Sequence, residues 1–261
     1  MDDPSLLTLA LLATAGLLAG WVDAVVGGGG LIQLPALLLA FPGALPVQLL
    51  GTNKLASICG TATAAATYLR RIPVDLRTAL PLAAAAFAGS AAGAVLASRL
   101  PMRWFSPIVL IALILVGGYT LRRPDLGVTT GLRYAGRRHL GVAALIGAGI
   151  GCYDGALGPG TGSFLVIALV AGVGYSFLQA SALAKTANVA TNLAALAVFV
   201  PQGAVSWRIG LVMGVANLAG GYLGARTAVA AGQRFVRAVF LVVVSGFTIR
   251  IGYDVLRQLI G

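Results

Sequence analysis

Two glycine-rich segments interrupt otherwise apolar stretches of this 261-residue chain. The first is Asp23-Ala-Val-Val-Gly-Gly-Gly-Gly30, and the second is Asp154-Gly-Ala-Leu-Gly-Pro-Gly-Thr-Gly-Ser163. Such runs cannot continue an α-helix. At membrane depth, non-helical backbone is tolerated only where it is buried in protein or lines a cavity. We therefore expect each break to line a ligand site. The alternative is a surface loop whose glycines only permit a tight turn.

The composition around these breaks indicates the fold class. Hydrophobic residues make up 59% of the chain and charged residues only 10%, whereas soluble domains carry about 25% charged residues. Nearly continuous apolar runs predict an all-α polytopic membrane protein with about eight to ten membrane helices, some of them short and broken or re-entrant. The predicted helices lie near 6–26, 31–41, 47–70, 76–98, 104–121, 139–157, 162–173, 176–200, 207–227 and 235–259.

The charged residues exclude several classes of function. The net charge of +11 comes mainly from arginines grouped beside apolar runs, which is typical of cytoplasmic loops that contact anionic lipid. No basic face with interleaved aromatic residues is present, so we expect no nucleic-acid binding. The chain has no glutamate, one histidine and two cysteines without CxxC spacing. We expect no catalytic residues, no metal site, no cofactor and no enzyme activity.

The two halves of the chain resemble each other in register. A shift of 131 residues aligns Asp23 with Asp154, and it aligns Lys54 with Lys185, which are the only two lysines. This coincidence indicates an internal duplication. We expect an N-terminal repeat over 1–121, a basic cytoplasmic linker over 122–138, and a C-terminal repeat over 139–261.

The short helices predicted over 31–41 and 162–173 leave two topologies open. Eleven residues reach about 16 Å, half of a roughly 30 Å hydrocarbon core. If the short helices cross, each half has five spans and the halves are inverted. If they are re-entrant, each half has four spans and the halves are parallel. The acidic, arginine-free N-terminus favours an outside start and inverted halves.

Polar residues follow each lysine on one helix face. Lys54, Ser57 and Thr61 are spaced i, i+3 and i+7, as are Lys185, Asn188 and Asn192. A buried charge costs about 2.5–3.5 kcal/mol, so a function should maintain it. An ammonium with stacked donors suits a small oxyanion, and helix N-termini at the breaks add positive potential. The break residues expected to line this site are Gly28, Gly29, Gly30, Gly160, Thr161, Gly162 and Ser163.

Other roles for the charges stay open. Each lysine could pair only with the aspartate of its own half and thereby assemble the helices, or it could extend to the membrane interface. Asp23 and Asp154 either hold the lysines in place or titrate as proton-coupling groups.

The chain resembles the TauE/SafE family of membrane permeases over essentially its whole length. The segments that carry the resemblance are Gly20-Trp-Val-Asp-Ala-Val-Val-Gly-Gly-Gly-Gly30, Gly51-Thr-Asn-Lys54, Gly151-Cys-Tyr-Asp-Gly-Ala-Leu-Gly-Pro-Gly-Thr-Gly-Ser-Phe164 and Lys185-Thr-Ala-Asn188. The resemblance implies a multi-pass protein of the bacterial inner membrane with duplicated halves. It also implies transport, usually outward, of sulfur oxyanions or small organosulfonates such as sulfite and sulfoacetate.

The sequence therefore predicts a secondary transporter of a small anion that works by alternating access. The two alternatives are a passive anion channel along the same lysine-lined path, and a membrane scaffold in which the charge pairs serve only assembly. The expected partners are the anionic substrate, the lipid bilayer and, through the aspartates, protons. The sequence leaves the oligomeric state open, with a homo-oligomer as one alternative.

Overall fold

The computed structural model describes residues 4–97 and 129–260, together with Ile111, Ile114 and Gly127. All the regular elements among these residues are helices. They are α1 (Leu6–Val26), α2 (Gly30–Ala40), α3 (Pro46–Leu69), α4 (Leu76–Ala97), α5 (Gly136–Ala156), α6 (Thr161–Ala168), α7 (Phe177–Phe199) and α8 (Trp207–Ile260). A π-helical turn over Leu169–Val173 continues α6. The all-helical prediction is confirmed for this part of the chain.

Most predicted helix limits agree with the structure within one or two residues. The largest differences are in the second half. Helix α5 begins at Gly136, three residues earlier than predicted and inside the expected linker. The two helices predicted over 207–227 and 235–259 are one helical run, which is broken at Gly232 by its positive φ of 78°. The helix predicted over 104–121 lies almost wholly outside the described residues.

Four of the described helices are long and apolar enough to cross a membrane, namely α1, α4, α7 and α8. Large apolar side chains cover their outer surfaces and those of their neighbours, and Leu39, Leu145 and Val242 are all exposed. In water such a surface would be costly, whereas in lipid it is the expected boundary. The molecule is therefore a helical membrane protein.

Each glycine break turns the chain back on itself. Gly29 lies against Ala19 and Asp23 of the preceding helix, and Leu12 of α1 shares a buried cluster with Leu37 of α2. The second half repeats this arrangement. There the Tyr153 and Phe164 rings pack edge-on at 5.2 Å, and Gly172 lies against Ile146. Helices α2 and α6 therefore return along α1 and α5 instead of extending them.

Two buried apolar clusters mark the two ends of the molecule. Core I contains Tyr68, Leu82, Leu165, Phe177 and Ala225, and core II contains Leu12, Leu49, Ala94, Phe199 and Met213. Helix α3 and the part of α8 before Gly232 run from core II to core I, and α4 and α7 run in the opposite direction. Most described arginines flank helix ends at core I: Arg70, Arg71, Arg77, Arg133, Arg137, Arg138, Arg226, Arg234 and Arg237.

Close backbone contacts at glycines join α1 to α8 and α4 to α5. A Cβ at Gly20 would overlap the carbonyl oxygen of Asn217, and a Cβ at Gly151 would overlap that of Ala86. These two contacts correspond to each other under the 131-residue shift. Small residues let membrane helices approach closely enough for strong van der Waals packing.

We predict that Gly151→Ala destabilises the protein while Gly149→Ala, on the same helix, does not. A methyl group at Gly151 meets backbone of α4, which cannot move aside, whereas nothing lies within 4 Å of a Cβ at Gly149. Overpacking typically costs about 1–3 kcal/mol, and an open helical glycine gains up to about 1 kcal/mol from alanine. Thermal unfolding in detergent measures both changes, and equal midpoints for the two variants would contradict the packing described above.

Candidate functional site

The two glycine breaks meet at the centre of the molecule. The Ser163 N–H donates to the Gly27 carbonyl at 3.1 Å, and its hydroxyl donates to the Val26 carbonyl at 2.8 Å. A side chain at Gly27 is excluded twice, because its φ is +86° and because a Cβ there would overlap the backbone of Gly162. The carbonyl end of α1 is thus joined to the amide end of α6.

Both lysines form buried ion pairs with aspartates of the opposite half. Lys54 Nζ lies 2.6 Å from Asp154 Oδ2, with side-chain exposures of 3% and 6%. Lys185 Nζ lies 2.8 Å from Asp23 Oδ2, with exposures of 1% and 16%. The alternative in which each lysine pairs within its own half is therefore wrong, and so is extension to the interface. The crossing of the breaks brings each aspartate to the other lysine helix.

A small cavity of about 30 Å³ lies beside these pairs. Its lining combines charges, amides, hydroxyls and glycine backbone: Asp23, Gly27, Gly30, Asn53, Lys54, Ser57, Thr61, Asp154, Gly158, Thr161, Gly162, Asn188 and Asn192. A cavity needs about 10–15 Å³ of such free space to hold one water molecule. In this conformation the central cavity has room for water but is too narrow for a sulfonate-sized anion.

Most of the residues predicted from the sequence line this central cavity, but five do not. Lys185 is fully buried behind Asp23, and Ser163 is occupied in joining α6 to α1. Gly28, Gly29 and Gly160 also lie outside the lining. Gly28 instead packs beside Val243 and Phe247 of α8, where a Cβ would touch both side chains.

Several of the lining groups bind each other. Asn192 Nδ2 donates to Thr61 Oγ1 at 3.2 Å, and these two residues correspond under the 131-residue shift. The Thr161 hydroxyl donates to the Gly158 carbonyl at 2.8 Å. By contrast, the N–H groups of Gly30 and Gly162 donate to no described residue. They leave two backbone donors at the starts of α2 and α6, where the helix dipoles are positive.

The sequence pattern missed two polar residues near the cavity. Asn53 lines it with a buried Oδ1 that has no partner among the described residues. Gln33 is fully buried, and its Oε1 accepts from Ser57 Oγ at 2.8 Å. Two features of the sequence could have identified Asn53 and Gln33. The spacing of Asn53, Ser57 and Thr61 is also that of one helix face, and Gln33 is the only polar side chain of α2.

A second cavity, which we name the outer cavity, opens at the core I end. It measures about 660 Å³ and is lined by Pro73, Val74, Asp75, Thr130, Leu132, Arg133, Tyr134, Ala135, Gly136, His139, Tyr175, Gln179 and Leu183. Gln179 and Leu183 belong to α7, which also carries Lys185. At 1.5 Å per residue, Gln179 is about 9 Å along the helix from Lys185.

Comparison with known proteins agrees with this architecture. Residues 12–251 match the family described as "Sulfite exporter TauE/SafE". A probable membrane transporter protein (ORF9) of Sinorhizobium sp is 36% identical over 262 residues, covering 97% of this chain and 96% of that protein. One from Haemophilus influenzae is 35% identical, with 94% and 95% covered.

A third relative, the probable membrane transporter protein YfcA of Escherichia coli K12, is 34% identical over 248 residues, covering 95% of this chain and 91% of YfcA. No solved structure matches the chain significantly. The match of the family model over nearly the whole length, with relatives aligned end to end, shows that this chain belongs to the TauE/SafE family of membrane transporters.

Proposed function

We propose that the protein transports a small anion by alternating access and binds it in the central cavity. The observation that carries the proposal is the Lys54 ammonium, which lines a cavity together with two unpartnered helix-start N–H groups and three side-chain amides. Discontinuous helices whose N-termini point at an anionic substrate are a recurrent transporter design. Intramembrane charges that line a cavity usually mark a transport pathway.

The repeats over 1–121 and 139–261 are inverted in this proposal. Each long–short helix pair makes no net crossing, because α2 and α6 return towards the side from which α1 and α5 enter. Three crossing helices then remain in each half: α3, α4 and the predicted helix 104–121, and α7 with the two parts of α8. Because three is an odd number of crossings, the second half begins on the opposite side of the membrane from the first, and it is therefore inverted. Returning short helices are thus compatible with inverted halves and do not require parallel ones.

A difference between the two ends of the molecule supports alternating access. The outer cavity lies between Pro73 and Leu183 at core I. Under the 131-residue shift these positions correspond to Ala204 and Thr52 at core II, where the described residues contact each other. The Ser206 N–H donates to Thr52 Oγ1 at 3.0 Å, and the Ala204 carbonyl lies against Gly51. Inverted repeats in unequal conformations give one open and one closed side.

The clustered arginines support a cytoplasmic position for the open side. Short cytoplasmic loops carry the excess of arginine and lysine, and nine of the described arginines lie at the core I end. We place the protein in the bacterial inner membrane, with its basic linker inside and its N-terminus outside. Sulfite and organosulfonates are the proposed substrates because the matching family is described as a sulfite exporter.

The ion pairs provide a mechanism for proton coupling. An anion that binds Lys54 must displace the Asp154 carboxylate, and the two negative charges then repel each other unless the carboxylate takes a proton. One anion and one proton therefore move together. A dianion that carries one proton keeps a net negative charge. The inside-negative membrane potential, worth about 2.3 kcal/mol per charge per 100 mV, then drives it outward.

The narrow central cavity favours a carrier over a channel. A channel needs a continuous path, whereas here the space beside the lysine has room for water only. Saturable counterflow of labelled anion in proteoliposomes is expected for the carrier, and linear, unsaturable flux is expected for the channel.

We predict that Lys54→Met with Asp154→Leu stays folded, whereas Lys54→Met with Asp23→Leu is strongly destabilised. The first variant removes one whole ion pair, and the second leaves Asp154 and Lys185 both buried without partners. Replacing a buried pair with apolar groups is often neutral, but removing one partner typically costs about 3–5 kcal/mol. Thermal unfolding of the two variants measures the difference. Similar unfolding midpoints would contradict the pairing across halves.

The folded Lys54→Met/Asp154→Leu variant is also the decisive test of transport. We expect anion flux in proteoliposomes to fall at least about tenfold, because a charge-assisted hydrogen bond contributes about 1.5–3 kcal/mol. The wild-type protein, assayed with sulfite and sulfoacetate at equal ionic strength, is the reference. Normal flux through this variant would favour the scaffold alternative, in which the charges serve only assembly.

Asp154→Asn is expected to separate anion movement from proton movement. The amide has nearly the shape of a protonated carboxyl but cannot release a proton, so Lys54 should still admit an anion. We predict that anion exchange persists while a pH gradient no longer drives net flux. Parallel measurements of labelled-anion counterflow and of pH-driven uptake test this. Unchanged pH-driven uptake would exclude Asp154 as the coupling group.

A further inference from the structure

We propose that the outer cavity contains a second, separate binding site for a small oxyanion, which loads the transported anion from the cytoplasmic side. This inference rests on the proposed function and extends it from one site to two. The ligand class is a tetrahedral or pyramidal oxyanion, such as a sulfate or sulfonate group. An anionic lipid headgroup has the same chemistry, and the experiment below distinguishes the two sources.

The first supporting feature is the start of α5, which opens onto this cavity. Ala135 precedes the helix and forms no side-chain cap, and both Ala135 and Gly136 line the cavity. The N–H groups of residues 136–138 donate to no described residue. Uncapped N–H groups at the positive end of a 21-residue helix favour a negative ligand.

The second feature is His139, which lines the same cavity and is only 7% exposed. Its Nε2 lies 3.0 Å from both Thr78 Oγ1 and Tyr175 Oη. Its Nδ1 is buried and has no hydrogen-bond partner among the described residues. A buried polar atom without a partner is costly. In the tautomer in which Nε2 accepts from the Thr78 or the Tyr175 hydroxyl, Nδ1 carries the ring proton and is a donor that an oxyanion can satisfy.

Charges around the cavity favour an anion on balance. Arg133 lines it and is exposed, and its guanidinium has no ion pair among the described residues. Asp75 opposes binding, but its carboxylate already accepts from the Arg77 N–H at 3.0 Å and lies 3.2 Å from the Thr78 hydroxyl oxygen. Burial raises the pKa of Tyr175, so its hydroxyl stays protonated as a donor.

The experiment is labelling of a cysteine placed at the site. Ala135→Cys is introduced with Cys59→Ser and Cys152→Ser, and a neutral maleimide reports accessibility in detergent without added lipid. We expect sulfate and sulfoacetate to slow labelling several-fold relative to chloride at equal ionic strength. Protection should be lost with Arg133→Gln and with His139→Gln. It should be kept with Arg70→Gln, an exposed arginine at the same end that does not line the cavity.

Each outcome supports or overturns the proposal. Protection that persists in the folded Lys54→Met/Asp154→Leu variant would show that the outer site is separate from the central one. In transport, Arg133→Gln should raise the half-saturating anion concentration without lowering the maximal rate. The proposed outer site is overturned if sulfate and sulfoacetate give no protection in the Ala135→Cys protein without further site substitutions. It is also overturned if protection survives both Arg133→Gln and His139→Gln. Protection by added phosphatidylglycerol alone also overturns the proposed outer site, because it identifies a lipid headgroup site.

The two proposals can fail independently. Normal anion flux without protection refutes only the outer site, whereas protection without flux refutes transport and leaves the outer site in place. Arg133 is exposed, so Arg133→Gln should fold even if His139→Gln does not. Thermal unfolding of both variants checks this.

Discussion

The contact between the two glycine breaks is the constraint on which the rest of the structure depends. The backbone of Gly27 touches that of Gly162, and Ser163 binds the last carbonyls of α1. Only residues without side chains allow two chain segments to approach this closely. The crossing brings each aspartate beside the lysine helix of the other half and places two helix starts around one small cavity.

Pairing across the halves gives the buried charges a role that pairing within each half would lack. A buried pair contributes little net stability because desolvation offsets the attraction between the charges. The Lys54–Asp154 and Lys185–Asp23 pairs nevertheless make separation of the halves costly, because separation would leave four unpaired charges in an apolar medium. Under the proposed mechanism, an anion with a proton replaces an aspartate at its lysine at lower cost, and the solute thus permits a motion that the protein without solute resists.

The sequence was sufficient to predict the described helices, the two glycine breaks and the two lysines and two aspartates beside them, but not that the breaks turn the chain back. Apolar runs, glycine runs and rare charged residues are local features of the chain. The partner of each charge was not predictable, because Lys54 can reach Asp154 only after the breaks cross. Asn53 was missed because the polar helix face predicted from the sequence began at Lys54, one residue later. Ser163 was expected to serve a ligand, yet it joins two helix ends, a contact 137 residues apart in the chain.

The residues that differ between the halves make the nearly symmetric central cavity suitable, under the proposed function, for an asymmetric solute. Thr61 and Asn192 correspond under the 131-residue shift and bind each other, which places them on the proposed symmetry axis. On either side of that axis, Ser57 corresponds to Asn188, Asn53 to Ala184, and Gln33 to Phe164. Under the proposed function, one side of a bound anion therefore faces more hydrogen-bonding groups than the other. An organosulfonate such as sulfoacetate has two chemically different ends, so under that proposal it matches the unequal lining better than a symmetric ion does.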